Sequence, residues 1–183
     1  VPLAVVRQFQ SRFGRRIAIA YGMTETCAPT HVVPYEHDTP VDEASGTLSV
    51  GITVSDADAM IERLDGTPAL VGEAGELLIR GPMLMDGYLN KPEATDEALK
   101  DGWMHTGDVA VMDPRGWFFL IDRKKDMIIA SGFKVWPREI EDVLYGHPSV
   151  REVAVVGVPD SYRGETIRAY ISLRPGMDVT APE

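Results

Sequence analysis

Residues 103–126 read WMHTGDVAVMDPRGWFFLIDRKKD, and this stretch decides how the middle of the chain folds. Two apolar runs, 109–112 and 117–121, flank the sequence DPRG at 113–116, in which Pro at the second position and Gly at the fourth suit a type I turn. We therefore predict a β-hairpin here. The charged run 123–126 then separates the hairpin from another apolar run, which is typical of a hinge or linker.

Short β runs also precede the hairpin. The sequence GELLIRG at 75–81 is a strand bracketed by glycines, and 92–100 is a short helix opened by Pro. Closely spaced strands with Gly- and Pro-rich turns are typical of a small barrel or sandwich. We therefore expect a β-barrel-like subdomain over residues 32–122.

The first part of the chain has a different pattern of apolar residues. Apolar residues recur every three or four positions from Leu3 to Phe13, which predicts an amphipathic helix. The run IAIA at 17–20 predicts a strand buried on both faces. It leads into the polar sequence YGMTET at 21–26, and ligands of open α/β sheets gather at such strand ends. Residues 1–31 are therefore predicted to be the edge of a larger α/β domain.

After the charged run the order is strand, helix, strand, strand. The helix is predicted to begin at Pro137 and to bury Ile140, Val143 and Leu144 on one face. This order describes an α+β unit, which we assign to residues 127–183 with 123–126 as the hinge. The fold class is thus mixed α/β and α+β.

Both ends of the sequence suggest a fragment. The chain begins at Val1 rather than Met, and the last four residues, TAPE at 180–183, resemble a helix start with Thr as the N-cap. We therefore expect the final α+β unit to be incomplete.

Composition excludes several classes of function. The 28 acidic and 18 basic residues give a formal charge of −10, which disfavours nucleic acid or an anionic membrane as the main partner. The single cysteine, Cys27, excludes an internal disulfide or a cysteine-built metal site. No signal-peptide pattern and no apolar run of about 18 residues is present, so the sequence predicts a cytoplasmic protein without a transmembrane segment.

Three polar clusters could carry chemistry. A hydroxyl at Thr24 can donate to a phosphate, and the carboxylate of Glu25 can hold Mg²⁺; the alternative is a helix cap. Asp108 has two acceptor oxygens for the hydroxyls of a ribose, or it could bind its own backbone in a turn. Arg123 could reach a ribose or phosphate, or belong to a solvated charged run.

Six sequence blocks follow one another along the chain: YGMTE at 21–25, GELLIRG at 75–81, WMHTGD at 103–108, DRKKD at 122–126, SGFKVWPREIE at 131–141 and HPSV at 147–150. In this order they resemble consecutive signatures of the adenylate-forming enzymes, which include acyl-CoA synthetases, luciferases and the adenylation domains of peptide synthetases. The fatty-acyl-CoA ligase branch is the most similar, because RKKDMI is followed by SGF and VWP at positions 123–137. The resemblance makes the α+β unit at 127–183 the family's C-terminal lid domain, here incomplete.

The resemblance implies a reaction. Family members activate a carboxylic acid, here a fatty acid, with ATP and Mg²⁺ to form an acyl-adenylate, and then transfer the acyl group to coenzyme A. By analogy Thr24 contacts ATP phosphate and Glu25 holds Mg²⁺, while Asp108 and Arg123 bind the ribose. Tyr21 and Gly22 would border the adenine and the acyl group.

The same resemblance assigns the residues after the hairpin. Lys125 matches the hinge about which the family's lid domain rotates, although many relatives carry Asp there. Ser131, Gly132 and Phe133 would approach the path of coenzyme A. The family's phosphate-binding loop lies upstream of Tyr21, and its C-terminal lysine would lie beyond Glu183. We therefore expect this piece to be inactive alone, and to form dimers or aggregates through apolar surface.

Two alternatives remain open. The first is an aryl-CoA ligase, or another acyl-adenylating enzyme whose acceptor is not coenzyme A. The second is a non-catalytic module that binds a nucleotide or a protein.

Overall fold

The computed structural model describes residues 3–177, which divide into two units at Ile121/Asp122. This boundary adjoins the predicted hinge at 123–126, whose function as a hinge stays a prediction. The proposed division at 31/32 also stays a prediction. The strand β2 (Pro29–Val32) crosses this division. It pairs with β1 (Ala20–Gly22) on one side and with β3 (Ser49–Thr53) on the other, so all three lie in one sheet. The predicted helix start at 180–183 lies outside the described residues.

The predicted N-terminal helix is present as α1, Leu3–Phe13. It ends at Gly14, which adopts φ 60° and donates its N–H to the carbonyl of Gln10. Only Val6 is buried, while Phe9 and Phe13 are 37% and 56% exposed. At 11 residues α1 is the longest helix in the described range, too short for a membrane span of about 20 residues.

The first unit is built on an eight-stranded sheet. Besides β1, β2 and β3, its strands are β4 (Asp58–Glu62), β5 (Gly75–Arg80), β6 (Leu99–Lys100), β7 (Trp103–Met112) and β8 (Phe118–Arg123), and the helix α2 (Pro92–Ala98) precedes β6. The strands follow the order β1-β2-β3-β8-β7-β5-β4, and β6 adds by pairing with β7. All the described pairings of this sheet are antiparallel, as expected for strands joined by short turns.

The prediction of a β-rich, barrel-like subdomain is confirmed. Among residues 3–177 no pairing joins β4 to β1, so the sheet does not close into a barrel.

The strand predicted at 17–20 is wrong. β1 covers only Ala20–Gly22, and its side chains alternate between exposed and half-buried. A strand must be covered on both faces before it is buried on both, and an apolar run does not show what covers it.

The hairpin prediction is confirmed. Gly116 donates its N–H to the carbonyl of Asp113, which closes the four-residue turn, and Asp113 donates to Trp117. Gly116 adopts φ 83°, a left-handed conformation that favours glycine. The strands are longer than the apolar runs that predicted them, since β7 already begins at Trp103.

The core of the first unit lies around β5. β5 is a central strand, paired with β4 on one edge and with β7 on the other. Leu77, Leu78 and Ile79 alternate between its two faces and are at most 1% exposed, so both faces of β5 are covered. The main cluster comprises Ile61, Leu77, Ile79, Met104, Ala110 and Phe118.

The second unit is the predicted α+β arrangement. Its elements are β9 (Ile128–Ala130), β10 (Phe133–Val135), α3 (Pro137–Tyr145), β11 (Val150–Asp160) and β12 (Gly164–Leu173). The sheet has the order β10-β9-β12-β11, and α3 packs with Ile140 and Leu144 on a cluster that includes Val153 and Val155.

The prediction for Val143 is wrong, since it is 77% exposed. The sheet covers a narrow stripe of α3 along Ile140 and Leu144. Val143 is rotated about 100° from Leu144 around the helix axis and lies beside that stripe.

Truncation of the central strand should destabilise the first unit. We expect Leu77→Ala to lower the free energy of unfolding by about 3 kcal/mol, because it leaves a cavity between covered faces. The matched control Leu89→Ala removes a side chain that is 87% exposed, and should change it by less than about 0.5 kcal/mol. Urea unfolding followed by circular dichroism measures both, and equal effects would contradict this account of the core.

Candidate functional site

The loop after β1 presents Thr24 and Glu25 on a single 3₁₀ turn, Thr24–Thr26. The buried hydroxyl of Thr26 fixes this turn, since it accepts the N–H of Met23 at 3.1 Å and donates to the carbonyl of Ala28 or Met23. The helix-cap alternative therefore fits Thr26, whose side chain accepts the N–H of the N-cap residue Met23. Thr24 is exposed on the same turn.

Gly22 is required by close packing of the backbone. A Cβ placed there would lie 2.7 Å from the carbonyl oxygen of Ala28 and 2.9 Å from Cα of Pro29. Any side chain would therefore push the loop away from β1. An open cavity of about 580 Å³ adjoins this loop, and its lining includes Tyr21, Gly22, Thr24 and Cys27.

Asp108 lies on a bulge of β7, and this differs from the turn proposed as an alternative. Glu76 of β5 pairs with Val109 and Leu78 pairs with His105, so β7 holds two residues more than β5 between these pairs. Gly107, within the bulge, adopts φ 71°. Bulges re-aim side chains and are enriched beside active sites.

Three hydrogen bonds hold the bulge. The buried Glu76 carboxylate accepts the N–H of Gly107 at 3.0 Å. The Thr106 hydroxyl donates to the carbonyl of Leu77 at 2.7 Å and accepts the N–H of Asp108 at 3.1 Å. The backbone of Asp108 is thereby tied to the most buried strand of the unit.

The structure brings Tyr21 and Asp108 together. The Tyr21 hydroxyl donates to Oδ2 of Asp108 at 2.7 Å, although 87 residues separate them. Asp108 is 8% exposed, and Tyr21 packs against the core cluster that contains Phe118. Two predicted site residues from distant motifs thus form one hydrogen-bonded pair.

His31 lies behind Tyr21. It is fully buried, with its ring edge-on to Phe118 at 4.6 Å, and Thr30 contacts its Nδ1 at 3.0 Å. Its Nε2 has no hydrogen-bond partner in the described range. Burial therefore lowers the pKa of His31 to about 4, because the charged imidazolium is disfavoured away from water.

Glu25 has a partner that the sequence analysis missed. The Tyr88 hydroxyl donates to Oε1 of Glu25 at 2.7 Å, and the pKa of Tyr88 is raised by this bond to the carboxylate. The Met85 N–H also donates to the carbonyl of Glu25. A carboxylate has two oxygens with several acceptor sites, so Glu25 can receive Tyr88 and still offer a hard oxygen ligand. Glu25 therefore fits the Mg²⁺ role.

The remaining predicted residues, Arg123, Lys125 and 131–133, belong to the second unit. Arg123 ends β8 and is exposed, with its N–H donating to Oδ1 of Asp122. Lys125 is exposed on a 3₁₀ turn, Lys124–Asp126. It lines a concave surface of about 500 Å³ with Asp122, Asp126, Glu141 and Glu165.

Ser131 and Gly132 form the two-residue turn between β9 and β10. Both adopt positive φ, 52° and 83°, as a type I′ hairpin turn requires. The Ser131 N–H donates to the carbonyl of Arg163, which anchors the turn. Phe133 follows at 75% exposure, so the turn presents a large apolar ring to solvent.

Comparisons with known proteins agree with the motif order. The family model "AMP-binding enzyme" matches residues 1–89, and the model "AMP-binding enzyme C-terminal domain" matches 139–183. A long-chain-fatty-acid–CoA ligase of Escherichia coli O157:H7 is 45% identical over 172 residues, covering 93% of this chain and 29% of that protein. A feruloyl-CoA synthase of an Amycolatopsis species is 39% identical over 183 residues, covering all of this chain and 36% of that protein.

A solved structure agrees in fold. The o-succinylbenzoate CoA synthetase of Bacillus subtilis, in complex with an acyl-adenylate intermediate, superposes with a TM-score of 0.84 at 32% identity. The alignment covers 99% of this chain and 36% of that one. With both family models matched, the chain belongs to the AMP-binding, or adenylate-forming, enzymes. It spans about a third of the length of these relatives.

The buried His31 predicts a pH dependence of stability. The unfolded chain takes up a proton at this histidine below about pH 6.5, whereas the folded chain does so only near pH 4. The free energy of unfolding should therefore fall by about 3 kcal/mol as pH decreases through this window. His31→Leu should lose this part of the slope, as measured by urea unfolding at several pH values. Parallel profiles for the two proteins between pH 6.5 and 4 would contradict a buried neutral histidine.

Proposed function

We propose that the chain is part of an AMP-forming fatty-acyl-CoA ligase and contributes one wall of its nucleotide site. The observation that carries the proposal is the Tyr21–Asp108 pair, held on a bulge beside the turn that bears Thr24 and Glu25. A buried carboxylate with fixed orientation suits a ribose, whose two adjacent hydroxyls can each donate to one oxygen. Arg123 assists at the ribose in this assignment.

In the first half-reaction an oxygen of the carboxylic acid attacks the α-phosphorus of ATP, and the bond to the β-phosphate breaks to release diphosphate. Thr24 donates from its exposed hydroxyl to a phosphate oxygen. Glu25, whose Oε1 accepts the Tyr88 hydroxyl, would hold Mg²⁺ through its remaining acceptor sites. Mg²⁺, when bound there, neutralises the negative charge that builds up on the leaving diphosphate.

In the second half-reaction the sulfur of coenzyme A attacks the acyl carbon and AMP leaves. Lys125 is the proposed hinge for a rotation of the lid domain between the two steps, since an exposed ammonium stays hydrated in either orientation. The turn at Ser131 and Gly132, followed by the exposed Phe133, is the proposed contact for the pantetheine arm. A preformed hairpin can move as a rigid body.

A fatty acid is the proposed acyl substrate because long-chain-fatty-acid–CoA ligases of several bacteria are among the relatives. The aryl alternative has its own support, since the feruloyl-CoA synthase matches the whole chain at 39% identity.

The exposed Phe9 and Phe13 on α1 fit the expected self-association of the isolated chain. A cytoplasmic location is proposed because the lone Cys27 is an exposed free thiol.

The complete reading frame that contains this chain provides the test. We expect it to form AMP from ATP and coenzyme A with palmitate, and more slowly with ferulate, as measured by liquid chromatography of AMP and the thioester. The isolated 183-residue chain should form none.

Asp108→Asn should reduce kcat/KM for ATP by about 100-fold, and Asp96→Asn on the exposed face of α2 should leave it unchanged.

Faster thioester formation with ferulate would favour the aryl-CoA ligase. Absence of AMP with every acid, while nucleotide still binds, would favour a non-catalytic module. Full turnover by the isolated chain would contradict its role as a single wall of the site.

A further inference from the structure

A group of metal-ligating side chains lies beside the bulge and has no role in the proposed reaction. Glu62, Glu76 and His105 each offer a ligand atom, and these atoms lie within 4.8 Å of one another. They come from three adjacent strands, β4, β5 and β7. The group is therefore fixed by the sheet and not by a flexible loop.

The strand register places the three side chains on one face. Glu62 pairs directly with Glu76, and residues directly opposite on antiparallel strands share a face. Glu76 and Leu78 share that face because side chains alternate along a strand, and Leu78 pairs with His105. Backbone pairing thus places the three side chains on one face, and their observed conformations bring the ligand atoms together.

Two features point to a bound cation. First, carboxylates placed directly opposite across a strand pair repel each other, and Glu76 is only 5% exposed, so water screens this repulsion poorly. Second, His105 Nδ1 lies 3.5 Å from Oε2 of Glu76, which is long for a charge-assisted hydrogen bond of about 2.7–2.9 Å. Two ligands at about 2.0–2.1 Å from a tetrahedral Zn²⁺ are about 3.3 Å apart.

We propose that Glu62, Glu76 and His105 form a binding site for a divalent transition-metal cation, with Zn²⁺ preferred. An imidazole beside two carboxylates suits Zn²⁺ or Mn²⁺, whereas Mg²⁺ takes oxygen ligands and keeps much of its water. The site is open enough to load, because the His105 side chain is 18% exposed and Glu62 is half-buried. A water molecule completes the tetrahedron in a site with three protein ligands.

The cation would link three strands at the point where β7 bulges. Glu76 also accepts the Gly107 N–H, so the same carboxylate would join the metal to the bulge that carries Asp108. An effect on nucleotide binding rests on the proposed function, but metal binding itself does not. Zn²⁺ binding can therefore be found absent while the proposed nucleotide site holds, and the reverse.

Zinc titration of the isolated, tag-free chain tests the site. The protein is stripped with a chelator and titrated with Zn²⁺ against a chromophoric competitor near neutral pH. We expect one tight equivalent, bound more tightly than Mn²⁺ and far more tightly than Mg²⁺. Glu62→Gln and His105→Gln should each weaken Zn²⁺ binding about tenfold or more. Glu76 is left unchanged because its carboxylate also holds the bulge.

Matched controls separate this site from surface binding. Glu97→Gln and His37→Gln alter an exposed glutamate and an exposed histidine, and should change Zn²⁺ affinity by less than about twofold. Circular dichroism checks that each variant keeps its fold. Equal affinity of the wild type and both Glu62→Gln and His105→Gln would overturn the proposal. So would a loss in His37→Gln as large as that in His105→Gln, which indicates surface histidine binding only.

Discussion

The candidate site depends on one hydrogen bond, which the Gly107 N–H donates to the buried carboxylate of Glu76. If β7 were a regular strand, it would stay in register with β5 throughout, and Asp108 would pair with a residue of β5 like its neighbours. The bulge lets Asp108 turn towards Tyr21 instead, at the cost of backbone groups that lose their ladder partners. Glu76 and the Thr106 hydroxyl replace those partners, so the bulge is a fixed feature and not a defect.

The hydrophobic core also holds Tyr21, the partner of Asp108, in place. Tyr21 packs against the cluster that contains Leu77 and Phe118, and His31 fills the space between the tyrosine and Phe118. The same strand, β5, therefore supports Asp108 through hydrogen bonds and Tyr21 through packing. Thr24 and Glu25 follow on a short turn tied down by the buried Thr26 and by Tyr88. The result is a preorganised surface in which little side-chain freedom remains to be lost on binding.

Local chemistry explains which features could be predicted from the sequence. The hairpin at 113–116 follows from its Pro and Gly, and the start of α3 follows from Pro137, because turns and helix starts depend on adjacent residues. The strand at 17–20 was misassigned because an apolar run does not reveal its neighbours. Val143 was misassigned for the related reason that spacing does not show how wide a covering surface is.

The contacts that form the site were not predictable in this way. The bulge depends on the register between two strands that are far apart in sequence, and a single sequence carries no such information. Tyr88 and Glu25 are 63 residues apart, so spacing gave no sign of their bond. Glu76 did leave a signal, since it is the one acidic residue inside an otherwise buried strand. The roles of the site residues rested on motif order, and the geometry explains how such residues could act together.

The most direct measurement concerns the proposed partnership of Asp108 with a ribose. Binding of ATP and of its 2′,3′-dideoxy analogue to the complete protein is compared by calorimetry for the wild type and Asp108→Asn. We expect the wild type to bind ATP at least about tenfold more tightly than the analogue, and the variant nearly to lose this discrimination. Equal discrimination by both proteins would show that Asp108 does not hold the ribose, and would contradict the central role given to the bulge.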